Sequence, residues 1–145
     1  MESYLGRRYR LSASHHLHSE RLSDEQNRAV YGKCANPHGH GHNYTVEVVV
    51  GGAIDAATGM VCDLAELDAC VGREVLEPFD HENLNTLAAF QNLVPTTENL
   101  CMEIERRLRR ALRPDLSLVV RVEETSNNFF EVRSNDAPAT DAVRG

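Results

Sequence analysis

Histidine is the residue type whose distribution first indicates chemistry in this chain. Six of the seven histidines fall within residues 15–42, and two of them form His40-Gly41-His42. Side chains two residues apart on an extended strand point to one face, so both imidazoles can bind the same ion. His15 can supply a third nitrogen if its strand pairs with the strand that begins near His40. Three histidines and an open position are typical of catalytic zinc, whereas a structural zinc site has four protein ligands.

Two further groups could work beside such an ion. Cys34 precedes His40 by six residues in a loop rich in Gly and Pro. A thiol near a bound dication and near Lys33 is expected to have a lowered pKa and to act as a base or nucleophile. Asp80-His81 places a carboxylate next to an imidazole, and the carboxylate can orient the imidazole or relay a proton. On its own, such a pair in a loop is more often a surface feature.

Glu124 stands out because of the strand face on which it lies. It follows Leu118, Val120 and Val122 at intervals of two residues, so it ends an apolar face. A carboxylate in such a place is costly unless it is paired. Glu124 is therefore either a rim residue, where the strand emerges into water, or an anchor for a ligand that presents an N–H edge.

The remaining histidines of the cluster carry weaker signals. On a strand, His16 points away from His15, which indicates a surface residue. His18 is either solvated or a contact for phosphate. His38 lies in a Pro37-His38-Gly39 turn, which disfavours it as a ligand.

The elements that must position these residues follow from periodicity. Alternation predicts strands over 9–14, 44–50, 116–125 and 129–133, with Gly51-Gly52 as a turn. One helix is predicted to start at Asp63, with Leu64, Leu67, Val71 and Val75 on one face, and to end at Pro78. A second is predicted to open within Pro95-Thr96-Thr97-Glu98. A capping box at Ser23 indicates a short helix. The order β-β-α-α-β-β predicts an α+β domain with an antiparallel sheet and two helices on one face. Val49, opposite the Tyr44 to Val50 face, indicates apolar surroundings on both faces and hence oligomerisation.

Length and composition set the outer limits. The 145 residues predict one domain over 1–134 and a flexible tail over 135–145. The net charge of −7 excludes nucleic acid as a partner for the whole surface, although a local basic pocket for phosphates is allowed. No apolar run predicts a membrane span. A polar N-terminus and four cysteines without a Cys-x-x-Cys pair predict a cytoplasmic protein with reduced thiols.

These motifs together resemble the 6-pyruvoyl-tetrahydropterin synthase family. The matching segments include Ser12-Ala13-Ser14-His15, Gly32-Lys33-Cys34, Gly39-His40-Gly41-His42-Asn43-Tyr44, Thr58-Gly59-Met60-Val61, Asp80-His81, Thr96-Thr97-Glu98-Asn99 and Glu124-Thr125. The resemblance implies the tunnelling fold, in which β-β-α-α-β-β units trimerise into a twelve-stranded barrel and stack into hexamers. It also implies a zinc-dependent lyase that converts 7,8-dihydroneopterin triphosphate to 6-pyruvoyl-tetrahydropterin.

The resemblance further implies a role for each residue that matches the motifs. By resemblance, the zinc ligands are His15, His40 and His42. The catalytic group is Cys34, supported by Asp80 and His81 from a neighbouring subunit, and the pterin is bound by Glu124, Thr96 and Thr97. Glu123 stands where the family often has an aromatic residue.

Two other functions remain open from the sequence. One is the related 6-carboxy-tetrahydropterin synthase of queuosine biosynthesis, which usually has three residues between the cysteine and the first histidine. Five separate Cys34 from His40 here, as in the pyruvoyl branch. The other is a non-catalytic zinc-binding homologue with a structural or regulatory role, which would need neither Cys34 nor Asp80-His81.

Overall fold

A computed structural model describes residues 1–134, so the expected tail over 135–145 lies outside the described residues. Its strands are β1 (Glu2–His15), β2 (His40–Ala53), β3 (Glu82–Asn83), β4 (Ser117–Thr125) and β5 (Asn128–Ser134). Its helices are α1 (Asp24–Tyr31), α2 (Leu64–Val71), α3 (Glu77–Phe79) and α4 (Thr97–Ala111). A π-helical turn, Gly72–Leu76, joins α2 to α3, and 3₁₀ turns cover Gly32–Ala35, Leu84–Thr86 and Ala88–Phe90. None of the helices over these residues has the length and apolar character needed to cross a bilayer.

The sheet is mixed and has the order β3-β1-β2-β4-β5. The predicted α+β class is confirmed, but an all-antiparallel sheet of four strands is wrong, because β3 pairs parallel to β1. The loop before β3 docks on this edge: the His81 N–H donates to the Ser12 carbonyl, and the Ser12 N–H donates to Asp80 Oδ1. A strand of two residues is too short for any alternation of side chains to reveal it.

The first two strands form one long antiparallel hairpin, paired from Glu2↔Ala53 to His15↔His40. Both are longer than predicted, and Gly51-Gly52 lies inside β2 rather than in a turn. A Cβ atom at Gly51 would lie 2.5 Å from the Tyr4 ring and from Ser117 Oγ. Glycine is therefore needed there for the close approach of two neighbouring strands, which its sequence context does not distinguish from a turn.

The helices α2 and α4, with the π-helical turn after α2, cover one face of the sheet and enclose the core. On β2 the alternating residues from Tyr44 to Val50 are buried as predicted, and Leu118, Val120 and Val122 of β4 are buried beside them. Leu67, Val71 and Val75 pack on this layer together with Leu100, Ile104 and Leu108 of α4. Leu64, predicted to share that helical face, is 42% exposed, because it lies in the first turn beyond the edge of the core.

Caps and prolines explain the helix ends. Asp63 and Thr96 accept backbone N–H groups as N-caps, and Ser23 forms the predicted capping box with Gln26. Pro78 does not end its helix, which continues to Phe79. The helix changes to π-helical geometry over Gly72–Leu76 and then returns to α-helix at Glu77. Pro78 thus occupies a first-turn position of α3, where its missing N–H costs little.

The outer sheet face is charged rather than apolar. Arg8 pairs with Glu47 across the hairpin, and Arg121 pairs with Glu131 across the last two strands. Val49 lies between Gly6 and Val119 on this face, and the two ion pairs lie two residues further along the strands. The expectation of two apolar faces is therefore wrong, because the residues next along the outer face of the neighbouring strands are charged.

Candidate metal centre and active site

Three imidazoles meet where the long hairpin opens. The register places His15 directly opposite His40, and His42 lies two residues further along the same face of β2. The ring centroids are 4.8 Å apart for His15 and His40, 4.9 Å for His15 and His42, and 4.4 Å for His40 and His42. The structure therefore brings together the three histidines that the sequence singled out.

Cys34 completes the cluster from the 3₁₀ turn that follows α1. Its carbonyl accepts the Leu17 N–H at 2.7 Å, which holds the turn against the end of β1. Its Sγ atom lies 3.0 Å from His40 Nε2. One ligand atom from each of His15, Cys34, His40 and His42 lies within 4.8 Å of the others. A thiol this close can either coordinate an ion as a fourth ligand or act on a molecule bound at an open position.

The environment of the histidines fits a metal ion. His15 Nδ1 lies 2.9 Å from the Pro95 carbonyl, which fixes the proton on Nδ1 and leaves the Nε2 lone pair facing the cluster. Nε2 of both His15 and His42 is buried without a hydrogen-bond partner among residues 1–134. Burial lowers the pKa of both imidazoles, which favours the neutral form that binds metal. Buried, unpaired and neutral nitrogens are the state that a metal ion requires of its ligands.

The protein groups around Cys34 do not activate it. Burial raises the pKa of its thiol, and the Glu124 carboxylate raises it further. Lys33 lies on the exposed side of the turn and does not reverse this effect. The expected lowering of the pKa therefore depends on a bound cation and not on the lysine.

Glu124 lies on the face predicted for it and borders the cluster. It continues the buried row of β4, and its side chain is 18% exposed. Oε1 lies 3.4 Å from His42 Nε2, in contact but without hydrogen-bond geometry, and Oε2 accepts the Asn128 side-chain amide at 3.2 Å. The carboxylate is thus half-paired and keeps acceptor capacity beside the metal site.

Thr96 and Thr97 lie together at the start of α4 but have different surroundings. Thr96 Oγ1 caps the helix by accepting the Asn99 N–H. Thr97 is buried and faces the Tyr44 hydroxyl, and neither of these two hydroxyls has a hydrogen-bond partner of acceptable geometry in the described part of the chain. The Tyr44 ring is 5.5 Å from that of His42. The sequence analysis placed Tyr44 on a strand face without a role for its hydroxyl, although its position two residues after His42 places it on the same face as the ligands.

Asp80 and His81 are preformed as a pair but are not joined to the cluster. His81 Nδ1 lies 3.1 Å from Asp80 Oδ2, and the His81 side chain is 82% exposed. His81 lines an open pocket of about 460 Å³ at the sheet edge, and His42 of the cluster lines the same pocket. Within residues 1–134, no hydrogen bond or ion pair links this pair to the four clustered side chains.

The other histidines lie outside the cluster. His16 is half-buried rather than on the surface, because its Nε2 contacts the Ala35 carbonyl at 3.1 Å. It stacks on His18, which contacts Glu20 at 3.6 Å. His38 is exposed in the turn after Pro37.

Fold and site define an α+β protein with a candidate mononuclear metal centre at the end of its sheet. The family model described as "6-pyruvoyl tetrahydropterin synthase" matches residues 4–135. The chain is 47% identical over 131 residues to the 6-pyruvoyl tetrahydrobiopterin synthase of Poecilia reticulata, covering 90% of this chain and 89% of that one. It is 45% identical over 129 residues to the synthase of Homo sapiens of the same name, covering 88% and 89%. The chain belongs to the 6-pyruvoyl tetrahydropterin synthase family.

A solved structure of Caenorhabditis elegans 6-pyruvoyl tetrahydropterin synthase agrees with the fold. It superimposes with a TM-score of 0.87 at 37% identity, and the match covers 93% of this chain and 97% of that one. The similarity therefore extends over nearly the whole length of both chains.

Proposed function

We propose that this chain is a zinc-dependent lyase that converts 7,8-dihydroneopterin triphosphate to 6-pyruvoyl-tetrahydropterin with release of triphosphate. The observation that carries the proposal is the convergence of His15, His40 and His42 on one point, with the Cys34 thiol and the Glu124 carboxylate next to them. Relatives that carry the pyruvoyl name match about nine-tenths of the chain, and this supports the pyruvoyl product over the carboxy product of the queuosine branch.

The reaction needs no external oxidant. The two hydroxyl-bearing carbons of the substrate side chain become ketones, the terminal carbon loses triphosphate and becomes a methyl group, and the dihydropterin ring takes up the remaining electron pair. A zinc ion bound by the three histidines supplies Lewis-acid polarisation of the side-chain hydroxyls.

The residues of the chain bind the substrate and move its protons. Glu124 accepts N–H groups from the pterin ring, with Thr97 beside it and Thr96 holding the first turn of α4. The Sγ atom of Cys34 takes a proton from a carbon of the substrate side chain and returns it to the next carbon. His15, kept in one tautomer by the Pro95 carbonyl, fixes the geometry of the site.

The site is completed by another copy of the chain. Asp80 and His81 lie at the sheet edge without a hydrogen bond or ion pair to the described cluster of their own chain, and the His81 side chain is open to solvent. We place them at the Cys34 thiol of a neighbouring subunit, in a trimer whose four long strands per chain close a twelve-stranded barrel, with two trimers stacked into a hexamer. Light scattering is expected to give a multiple of three subunits; a stable and active monomer would contradict this assembly.

Turnover by the purified protein, with the product identified by mass spectrometry, tests the function. Formation of 6-pyruvoyl-tetrahydropterin supports the proposal. The 6-carboxy product assigns the chain to the queuosine branch, and binding of zinc without turnover assigns it to the non-catalytic class.

The Cys34→Ala variant tests the role of the thiol. We expect it to retain one zinc per chain and to lose turnover by at least about a hundredfold, the usual contribution of a positioned acid or base. Loss of zinc would instead make Cys34 the fourth ligand of a closed structural site. Cys34→Ser is the conservative control for packing.

A further inference from the structure

A basic pocket opens beside the cluster. Its volume is about 710 Å³, and Cys34, His40 and His42 line its inner end. Arg28 of α1 and Lys33 of the following 3₁₀ turn line its exposed side. A molecule bound at the cluster that is longer than the cluster itself would extend between these two cations.

The charge of this pocket is opposite to that of the chain. The chain has 22 acidic and 15 basic residues, yet none of the residues that line the pocket is acidic. Neither Arg28 nor Lys33 forms an ion pair within residues 1–134, whereas Arg7, Arg8, Arg106 and Arg121 each do. Lys33 is also the single lysine among these 15 basic residues. The two cations are therefore available to a ligand.

The local fold holds both cations in place. Asn27, which is 2% exposed, accepts the Ser19 N–H and donates to the carbonyls of Ser19, Leu22 and Ser23, which ties α1 to the segment before it. The Gly32 N–H donates to the Arg28 carbonyl, so the turn with Lys33 follows α1 directly. Gly32 has φ +54, which glycine adopts without strain. Both side chains thus extend from a backbone that is held by hydrogen bonds.

We infer that Arg28 and Lys33 form an anion subsite that binds the triphosphate of the substrate. The inference rests on the proposed function, which requires a substrate with a donor-rich ring at one end and a polyphosphate at the other. The cluster offers both features: Glu124, an acceptor for ring N–H groups, contacts His42, and Cys34 contacts His40. Because His42 and Cys34 both line the inner end of the basic pocket, a ring bound at Glu124 lies next to that pocket. Arginine binds phosphate oxygens through two parallel N–H groups, and lysine acts as a compact point charge.

Inorganic tripolyphosphate tests the subsite without the ring. Isothermal titration of the zinc-loaded protein is expected to show binding that weakens with added salt. Arg28→Gln and Lys33→Gln should each weaken it by about tenfold, the loss expected for one charged hydrogen bond. Arg110→Gln, which removes an exposed arginine in the last turn of α4, is the matched control and should bind tripolyphosphate like the wild type.

A second titration separates the subsite from the ring site. Dihydroneopterin, which has no phosphate, should bind both variants with wild-type affinity, and metal content should be unchanged. Unaltered tripolyphosphate binding and unaltered KM for the triphosphate substrate, in a wild type that turns over, would overturn the subsite and leave the proposed function standing. Tripolyphosphate binding through these two residues, in a wild type without turnover, would support the subsite while the proposed function fails.

Discussion

Replacing Glu124 by Gln tests whether this carboxylate anchors the ring of the substrate. Glu124 is mostly buried, its Oε1 lies against His42, and its Oε2 holds a single amide donor from Asn128. A pterin ring that offers two N–H groups would complete the acceptor capacity of the carboxylate. Charged hydrogen bonds of this kind contribute about 1.5–3 kcal/mol each.

The magnitude follows from what the amide changes. Glu124→Gln keeps the size of the side chain and one acceptor, but it turns an NH₂ group toward a donor of the ring. The equivalent of one charged hydrogen bond is lost, about 1.4–2.8 kcal/mol, so affinity for dihydroneopterin should fall about ten- to a hundredfold. Titration calorimetry measures this loss directly, and elemental analysis should show unchanged zinc.

Glu123→Gln is the control on the adjacent residue. Glu123 pairs with Thr45 and Phe129 on the outer face of the sheet, on the side opposite the cluster. Its substitution should leave dihydroneopterin binding unchanged. Equal affinities for the two variants would refute the anchor and make Glu124 a rim residue. Loss of zinc in Glu124→Gln would show that the carboxylate acts on His42 instead.

Three other predictions concern the metal, the loop and the pH dependence of stability. His42→Ala should hold well under one zinc per chain by elemental analysis, because two imidazoles bind zinc poorly; full metal content would contradict the ligand assignment. Asn27→Asp sets a carboxylate oxygen against three carbonyls and should lower the free energy of unfolding by on the order of 3 kcal/mol in urea titrations; wild-type stability would exclude this anchoring role. The hydrogen bond from Arg7, and to a smaller extent the one from Tyr9, lowers the pKa of the Asp68 carboxyl from its usual 3.8. The ionised carboxylate therefore stabilises the folded state above that pH, and this stabilisation is lost as the pH falls through the lower pKa of the folded state. Asp68→Asn should therefore be less stable than the wild type at pH 7, and urea titrations at pH 7 and pH 3 should show that difference shrinking.

The candidate ligands were accessible from sequence because local geometry controls them. His40 and His42 share a face through the two-residue repeat of a strand, and this holds wherever the strand lies. The same repeat correctly placed Glu124 at the end of a buried row. The helix start at Asp63 and the one within residues 95–98 were identifiable because a cap depends on neighbours within three residues.

Longer-range features escaped the pattern for equally physical reasons. The N-terminal half of β1 is polar on its outer face, and only its pairing with β2 makes it a strand. Gly51 was assigned to a turn, since nothing nearby in sequence reveals the Tyr4 ring that requires it. The hydroxyl of Tyr44 received no role, because it matters only once the fold has brought Thr97 opposite.

By itself, therefore, the sequence determined which residue types lie on which face of each element: the paired imidazoles, the carboxylate that ends an apolar strand and the caps that start the helices. These depend on periodicity and on contacts within a few residues. The tertiary structure alone decided that His15 lies opposite His40, that the Cys34 thiol reaches within 3.0 Å of an imidazole, and that Arg28 and Lys33 line the same pocket. Those distances depend on strand register and on the anchoring of a loop by Asn27, which join residues far apart in the chain and leave no local pattern.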